Sequence, residues 1–209
     1  MTQENRLNLL FKDYFGLYSP SLSKGVALLG MLIDPSLKKG ELDLVFNLLC
    51  EEIFPYLQDD SSTEEKAEIF RLVLFDKLKF KVTGLNSETQ LSLKQTLRTR
   101  STTPMFMGVL YLLLAQNFNT PAFLALNKGQ IIVCFEKEYN FPNVYIGVNS
   151  SGIFTTDTEL AARGIKQDLH ILNNKQIIKY LLSNLIYLYT KQNAAAKKEF
   201  IQNLLGNCL

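Results

Sequence analysis

Apolar residues recur at helical spacing from Asn5 to about Lys77, with interruptions where helices start or stop. Ser19-Pro20 reads as an N-cap with proline in the first helical position. The helix it opens runs from Leu22 to Ile33 and ends at Asp34-Pro35. Leu42, Val45, Phe46, Leu48, Leu49 and Ile53 mark the inner face of the next helix, which stops near Pro55. Ser61 to Glu65 supplies a polar cap with acid in the first turn, and Ile69, Phe70, Val73 and Leu74 carry the helix onward. Four helices are predicted before position 80. Phe80 to Gln90, polar and broken by Gly84 and Asn86, reads as a loop.

The pattern then changes. Leu91–Leu97 predicts a short helix, and Pro104–Phe118 a long, almost wholly apolar one. Three β-rich runs follow, Ala122–Leu126, Ile131–Phe135 and Val144–Val148. Asn127-Lys128-Gly129 fits a hairpin turn, because glycine supplies a positive φ without a Cβ clash, and Asn149 to Gly152 fits another. From Ile177 to Leu188 a 3.6-residue apolar stripe returns, flanked by Tyr180, Tyr187 and Tyr189. Gln192-Asn193 breaks it before a last helix from Ala194 to Leu205. The expected architecture is α+β in one compact unit. A helical layer spans 1–77, and a core of central helix against a small antiparallel sheet spans 78–168. A C-terminal helical hairpin spans 169–209.

Composition narrows the function classes. Of 209 residues, 22 are Lys or Arg and 20 Asp or Glu, a net charge of +2 with no basic cluster, which argues against nucleic-acid binding. The longest apolar run, Met105 to Ala115, falls well short of the roughly 20 residues a membrane span needs. No secretory leader pattern opens the chain. Cys50, Cys134 and Cys208 are too few and too scattered for a disulfide framework, so a cytoplasmic protein is expected.

Candidate chemistry is sparse. One histidine, His170, and three separated cysteines offer no zinc spacing, and Asp59-Asp60 lacks the spaced acids of a calcium loop. The glycine patterns of phosphate-binding loops and the G-x-S-x-G elbow are absent from the sequence. No cofactor or metal is expected. Cys50, Cys134 and His170 all lie among apolar neighbours, where packing is the default role. The one thiol–imidazole pairing worth testing is Cys134 with His170.

A longer motif set carries a resemblance. Leu74 to Phe80 is similar to the FDELGF segment of the bacterial SirB-type transglutaminase-like family. Leu93, Leu97, Arg100 and Pro104 fall where that family has NSxLxxVLxxRxGxP, and Gly108 to Ala115 follows its LSVLYLxVA. Pro121 completes GLP, Lys128 to Val133 aligns with PGHFLV, Val144 to Gly152 with FIDPFxxG, and Leu182 to Tyr187 with LxNLKxIY. The resemblance implies a transglutaminase-like core with helical flanks.

Active relatives in the papain-like superfamily place a cysteine at the start of the central helix, then histidine and aspartate on successive strands. The helix N-terminus and the imidazole favour thiolate, and the carboxylate orients the imidazole. Carried onto this chain, the three positions are Pro104, Gln130 and Gly147. None has the chemistry: no cysteine lies from Pro104 to Gly108, Gln130 cannot carry a proton at neutral pH, and Gly147 has no side chain. Thr102 and Thr103 read as caps. The expected function is a catalytically inactive transglutaminase-like scaffold serving as a binding or adaptor module. The tail resembles a tetratricopeptide-type hairpin and would present Tyr180, Tyr187 and Tyr189 to a protein partner. The alternatives are a divergent hydrolase or acyltransferase built on Cys134 and His170, and an oligomer subunit.

Overall fold

Helix starts in the N-terminal layer are set by short polar side chains that take up open backbone N–H groups. In the computed structural model, residues 2–38, 40–136, 143–148, 153–156, 159, 162 and 169–206 are described. Helix α1 (Gln3–Gly16) is capped by Thr2, whose hydroxyl accepts from the N–H of Asn5. Helix α2 (Leu22–Ile33) is capped by Ser21, which accepts from Lys24. Ser19 is therefore not the cap, and Pro20 lies ahead of the helix rather than in its first turn, because the extended Ser21 is the residue whose Oγ reaches that N–H. Helix α3 (Glu41–Ile53) buries Leu42, Leu49 and Ile53. Val45 and Phe46 pack partly against the core, whereas Leu48, expected inside, is exposed. Helix α4 (Thr63–Arg71) opens with a complete capping box between Ser62 and Glu65. It continues into a π-helical turn at Leu72–Lys77, where the N–H of Leu78 reaches back to the carbonyl of Val73.

The segment expected as loop contains a two-residue strand, β1 (Lys81–Val82), paired in parallel with β2 (Ser101–Thr102), and a 3₁₀ turn at Glu88–Leu91. Helix α5 (Leu93–Thr99) lies between these strands in sequence. The buried Gln90 ties the region together. Its amide donates to the Thr83 hydroxyl, its Oε1 accepts from the N–H groups of Asn86 and Ser87, and its backbone carbonyl accepts from Thr96 and Thr102.

Helix α6 (Pro104–Asn117) is the centre of the molecule, with Met105 to Ala115 buried on every side. Its partner sheet contains β3 (Ala122–Asn127), β4 (Gln130–Phe135), β5 (Val144–Gly147), β6 (Ile153–Thr156) and β7 (His170–Leu172). The strand order is β6-β5-β4-β3-β7, antiparallel throughout. Lys128 and Gly129 both take positive φ in the β3–β4 turn, as a two-residue hairpin of matching twist requires. The sequence pattern missed β6 and β7, which are short and lack alternation. The expected turn at Asn149 to Gly152 lies outside the described residues.

Helix α7 (Asn174–Lys191) is capped by Asn173 and Gln176, and α8 (Ala195–Gly206) folds back on it after Asn193, which adopts the left-handed conformation. Tyr189 turns inward and donates to the Glu88 carboxylate, which also holds the ammonium of Lys197 at 3.2 Å. Only Tyr180 and Tyr187 of the tail's three tyrosines are exposed. The tail is bound to the N-terminal layer: the amide of Asn174 donates to the carbonyl of Pro20, and one core cluster runs through layer, α6 and tail. This is the α+β arrangement with helical ends that the pattern predicts. Among the described residues no helix is long and apolar enough to cross a membrane.

Gly25 lets these layers meet. A Cβ there would lie 2.5 Å from Ile178 and 2.6 Å from the Tyr14 hydroxyl. Gly25→Ala should therefore destabilise by about 1–3 kcal/mol through overpacking, outweighing the helix-propensity gain of about 1 kcal/mol. Urea unfolding should show a lower midpoint at unchanged m-value.

Burial also pushes the Tyr14 hydroxyl up to about 12. An unfolded tyrosine ionises near 10, so the folded state holds this proton where the unfolded chain releases it. The contribution is fully present below pH 10 and is lost as pH rises towards 12. Stability measured from pH 8 to 11.5 should fall above pH 10, and Tyr14→Phe should reduce that fall.

Candidate functional site

The start of α6 is built by Thr103, whose hydroxyl accepts from the N–H of Phe106 at 3.3 Å, and by Pro104, whose fixed φ suits the first helical position. Thr102, expected as a second cap, instead donates to the carbonyl of Gln90. Past Pro104 the first turn contains Met105, Phe106 and Met107, each at most 2% exposed. A nucleophile here would have a helix N-terminus to favour its anion, but no thiol or carboxylate occupies the turn.

The sheet reaches this turn at Gly108. A Cβ on Gly108 would fall 2.3 Å from the Leu124 side chain and 3.2 Å from that of Ile131, so these two side chains of β3 and β4 lie against the helix backbone. Side chains on a strand alternate between faces. Leu124, Ile131, Val133, Phe135, Val144 and Ile146 belong to the core around α6, and Tyr111 meets Phe135 edge to face at 6.2 Å. Gln130, Ile132 and Cys134 share the opposite parity. There Ile132, Cys134 and Tyr145 make a separate cluster with Phe123 and Leu169. Gly147 pairs with Ile132 and so has that parity too.

The three positions that the resemblance assigns to a triad are thus not convergent. Pro104 begins the helix, whereas Gln130 and Gly147 have the parity of the face turned away from it. The β4 residue that approaches the first turn is Ile131, and after β5 the buried Val148 joins the α6 core. At neither parity do β4 and β5 bring an imidazole or a carboxylate to the start of α6.

Cys134 and His170 are likewise kept apart. Gln130 and Cys134 do share a face, as their spacing implies, but that face is neither a cleft over α6 nor its core. Cys134 is fully buried on β4 and opposite Phe123. His170 is exposed on the edge strand β7, not packed between its apolar neighbours, and it pairs with Leu126. Directly paired residues share a face, so the imidazole has the parity of α6's side and the thiol that of the other. β3 also intervenes, adding two strand spacings of about 4.8 Å each. Alternation along β3, which the sequence does not label by face, is what separates them.

Cys50, half-buried on α3, has its thiol pushed up to about 11 by burial and then by the charge of Glu51. Cys208 lies outside the described residues. Among the described residues no group of three or more His, Cys, Asp or Glu is placed to hold a metal ion. Sequence reasoning passed over Gly108 and Ile131; the signal available was a glycine in an otherwise large-residue helix, which marks a close approach.

A family model described as Transglutaminase-like superfamily matches residues 40–182, more than half of the chain. The match begins at Gly40, ahead of α3, and ends within α7, so it takes in the central helix and the sheet. No curated protein and no solved structure gives a significant match.

Native-state alkylation tests the thiols. With its acidity near 11, Cys50 is ionised in only roughly one molecule in ten thousand at pH 7. Iodoacetamide should label Cys50 and Cys134 slowly at pH 7 and faster after unfolding, each followed by mass spectrometry. Rapid labelling of Cys134 below pH 7 would reveal an activated thiol instead.

Proposed function

The chain belongs to the transglutaminase-like superfamily, and on that premise we propose that it is a SirB-type member without catalytic activity, a cytoplasmic scaffold serving as a binding or adaptor module. One observation carries this reading. The first helical turn of α6, where the family's logic requires an accessible thiolate, is Pro104-Met105-Phe106-Met107, and the strands facing it present Leu124 and Ile131. Acyl transfer needs a nucleophile within hydrogen-bond reach of a base, with room for a carbonyl carbon beside both. Methionine, phenylalanine and isoleucine supply neither the proton transfer nor the room. Gln130 and Gly147 complete a set of triad-equivalent positions with no acid–base chemistry.

The tail offers the binding surface in this reading. Tyr180 and Tyr187 stand two helical turns apart on one exposed face of α7, and the ammonium of Lys191 lies 4.5 Å above the Tyr187 ring. Aromatic side chains that are solvent-exposed and held by a neighbour are suited to anchoring a partner, since little side-chain entropy remains to be lost.

Activity is tested with the purified chain, a glutamine peptide and a primary amine, followed by mass spectrometry for transamidation and for hydrolysis. Product should not exceed the buffer control, and Cys134→Ser should change nothing. Turnover that disappears in Cys134→Ser would overturn the reading and restore the divergent-enzyme alternative.

A further inference from the structure

Helices α1 and α2 each turn a stripe of residues towards one trough of about 750 Å³. On α1 the stripe is Gln3, Arg6, Leu7 and Leu10; on α2 it is Lys24, Ala27, Leu28 and Met31. Both follow the i, i+3, i+4, i+7 spacing of a single helix face. Leu7 and Leu28 are 6% and 2% exposed, while Leu10, Met31 and Leu37 remain partly open to solvent. The hollow continues past its own end. Ala27, Leu42 and Asp43 also line a second cavity of about 280 Å³ that runs on to Gln116 and Asn117 at the end of α6.

The charge around this apolar trough is one-sided. Arg6, Lys24 and Lys38 line it and are exposed, against a single carboxylate, Asp43. Among the described residues none of these three side chains has an ion-pair or hydrogen-bond partner. Arg71, Lys77 and Lys94, by contrast, are each tied to carboxylates at 2.6–3.1 Å. A long apolar floor between two helices, with uncompensated cations along its margin, complements a ligand that is apolar on one side and anionic on the other. The open length of the trough suits a helix better than a small molecule, which a binding pocket would enclose on most of its surface. Ala27, small and at the centre of the α2 stripe, lets a backbone come close.

We propose that this trough is the docking site for an acidic amphipathic helix of a partner protein. Leucine-type anchors at i, i+3, i+4 and i+7 would lie over Leu10, Met31 and Leu37, and Asp or Glu on the helix margins would meet Arg6, Lys24 and Lys38. The inference is independent of the vacant triad positions and of the tyrosine face on α7.

The probe is a fluorescein-labelled synthetic peptide of about five helical turns, with leucine in the anchor stripe and glutamate on its margins. Two control peptides accompany it, a scramble of the same composition and a version with lysine for every glutamate. Anisotropy with the full chain should show the acidic helix binding at least about tenfold more tightly than either control, and more weakly at high salt. Arg6→Glu with Lys24→Glu, both exposed positions, should cut that affinity about tenfold or more and shift preference to the lysine peptide. Lys24→Glu alone should act in the same direction, and Lys81→Glu, at an exposed cation outside the trough, should leave binding unchanged. Equal binding of the scramble would overturn the proposal, as would indifference to charge reversal. So would preferential binding to phosphatidylserine vesicles, which would make the trough a membrane-surface site.

Discussion

The burial of α6 on all sides is the constraint on which the rest of the structure depends. A helix whose residues from Met105 to Ala115 are all buried has no face to give to water. It must be covered around its whole circumference, and each large apolar side chain so covered contributes roughly 1.5–3 kcal/mol. The sheet covers one side, approaching closely because residue 108 is glycine. Phe70 of α4 links that side to the helical layer through ring contacts with Phe118 and Phe135 at 5.6 and 6.2 Å. The remaining cover comes from a core that runs through the N-terminal helices and the tail. The helical ends of the chain are thus walls of the same core, and the contact of α2 with α7 at Gly25 fastens them to each other.

Packing and chemistry make opposite demands on one place. A thiol enzyme of this family keeps the first turn of its central helix open, so that a carbonyl can reach a thiolate favoured by the helix dipole. Here that turn is filled by Met105, Phe106 and Met107 and pressed by Leu124 and Ile131. What a catalytic turn gives up in packing to remain accessible is recovered as core. The polar exception in α6 is the hydroxyl of Tyr111, which is buried without a hydrogen-bond partner. Such an orphan costs about 1–3 kcal/mol. The surrounding rings and aliphatic side chains offset it, and desolvation makes the hydroxyl a far weaker acid than an ordinary tyrosine.

Polar organisation has moved to the periphery. Gln90 satisfies an irregular segment with its amide and its backbone carbonyl, and Glu88 joins that segment to the tail through Tyr189 and Lys197. Tyr189 and Lys197 of the second network also line a hollow of about 320 Å³ with Gln3, Leu7 and Pro35. The trough between α1 and α2 has largely apolar walls, with Arg6, Lys24 and Lys38 on its margin. The turn that opens α6 is closed by apolar side chains, while Tyr180, Tyr187 and the cations of the trough margin are exposed.

The sequence by itself determined the helices of the layer and tail, the central helix and the β3–β4 hairpin. Each has a local cause that can be read one residue at a time: caps at Ser62 and Thr103, Pro104 at the first position of α6, a positive φ at Gly129. It also determined that Cys50, Cys134 and His170 stand among apolar neighbours and that Pro104, Gln130 and Gly147 lack acid–base chemistry. Tertiary structure decided which side of the sheet each strand residue occupies. That depends on register and on which face α6 covers, and a slip of one residue reverses both. Hence His170 is exposed at an edge, Cys134 is buried on the other face, and Ile131 rather than Gln130 confronts the start of α6. The short strands β6 and β7, the inward turn of Tyr189 and the exposure of Leu48 were decided in the same way. Their positions follow from neighbours distant in sequence, which no local periodicity records.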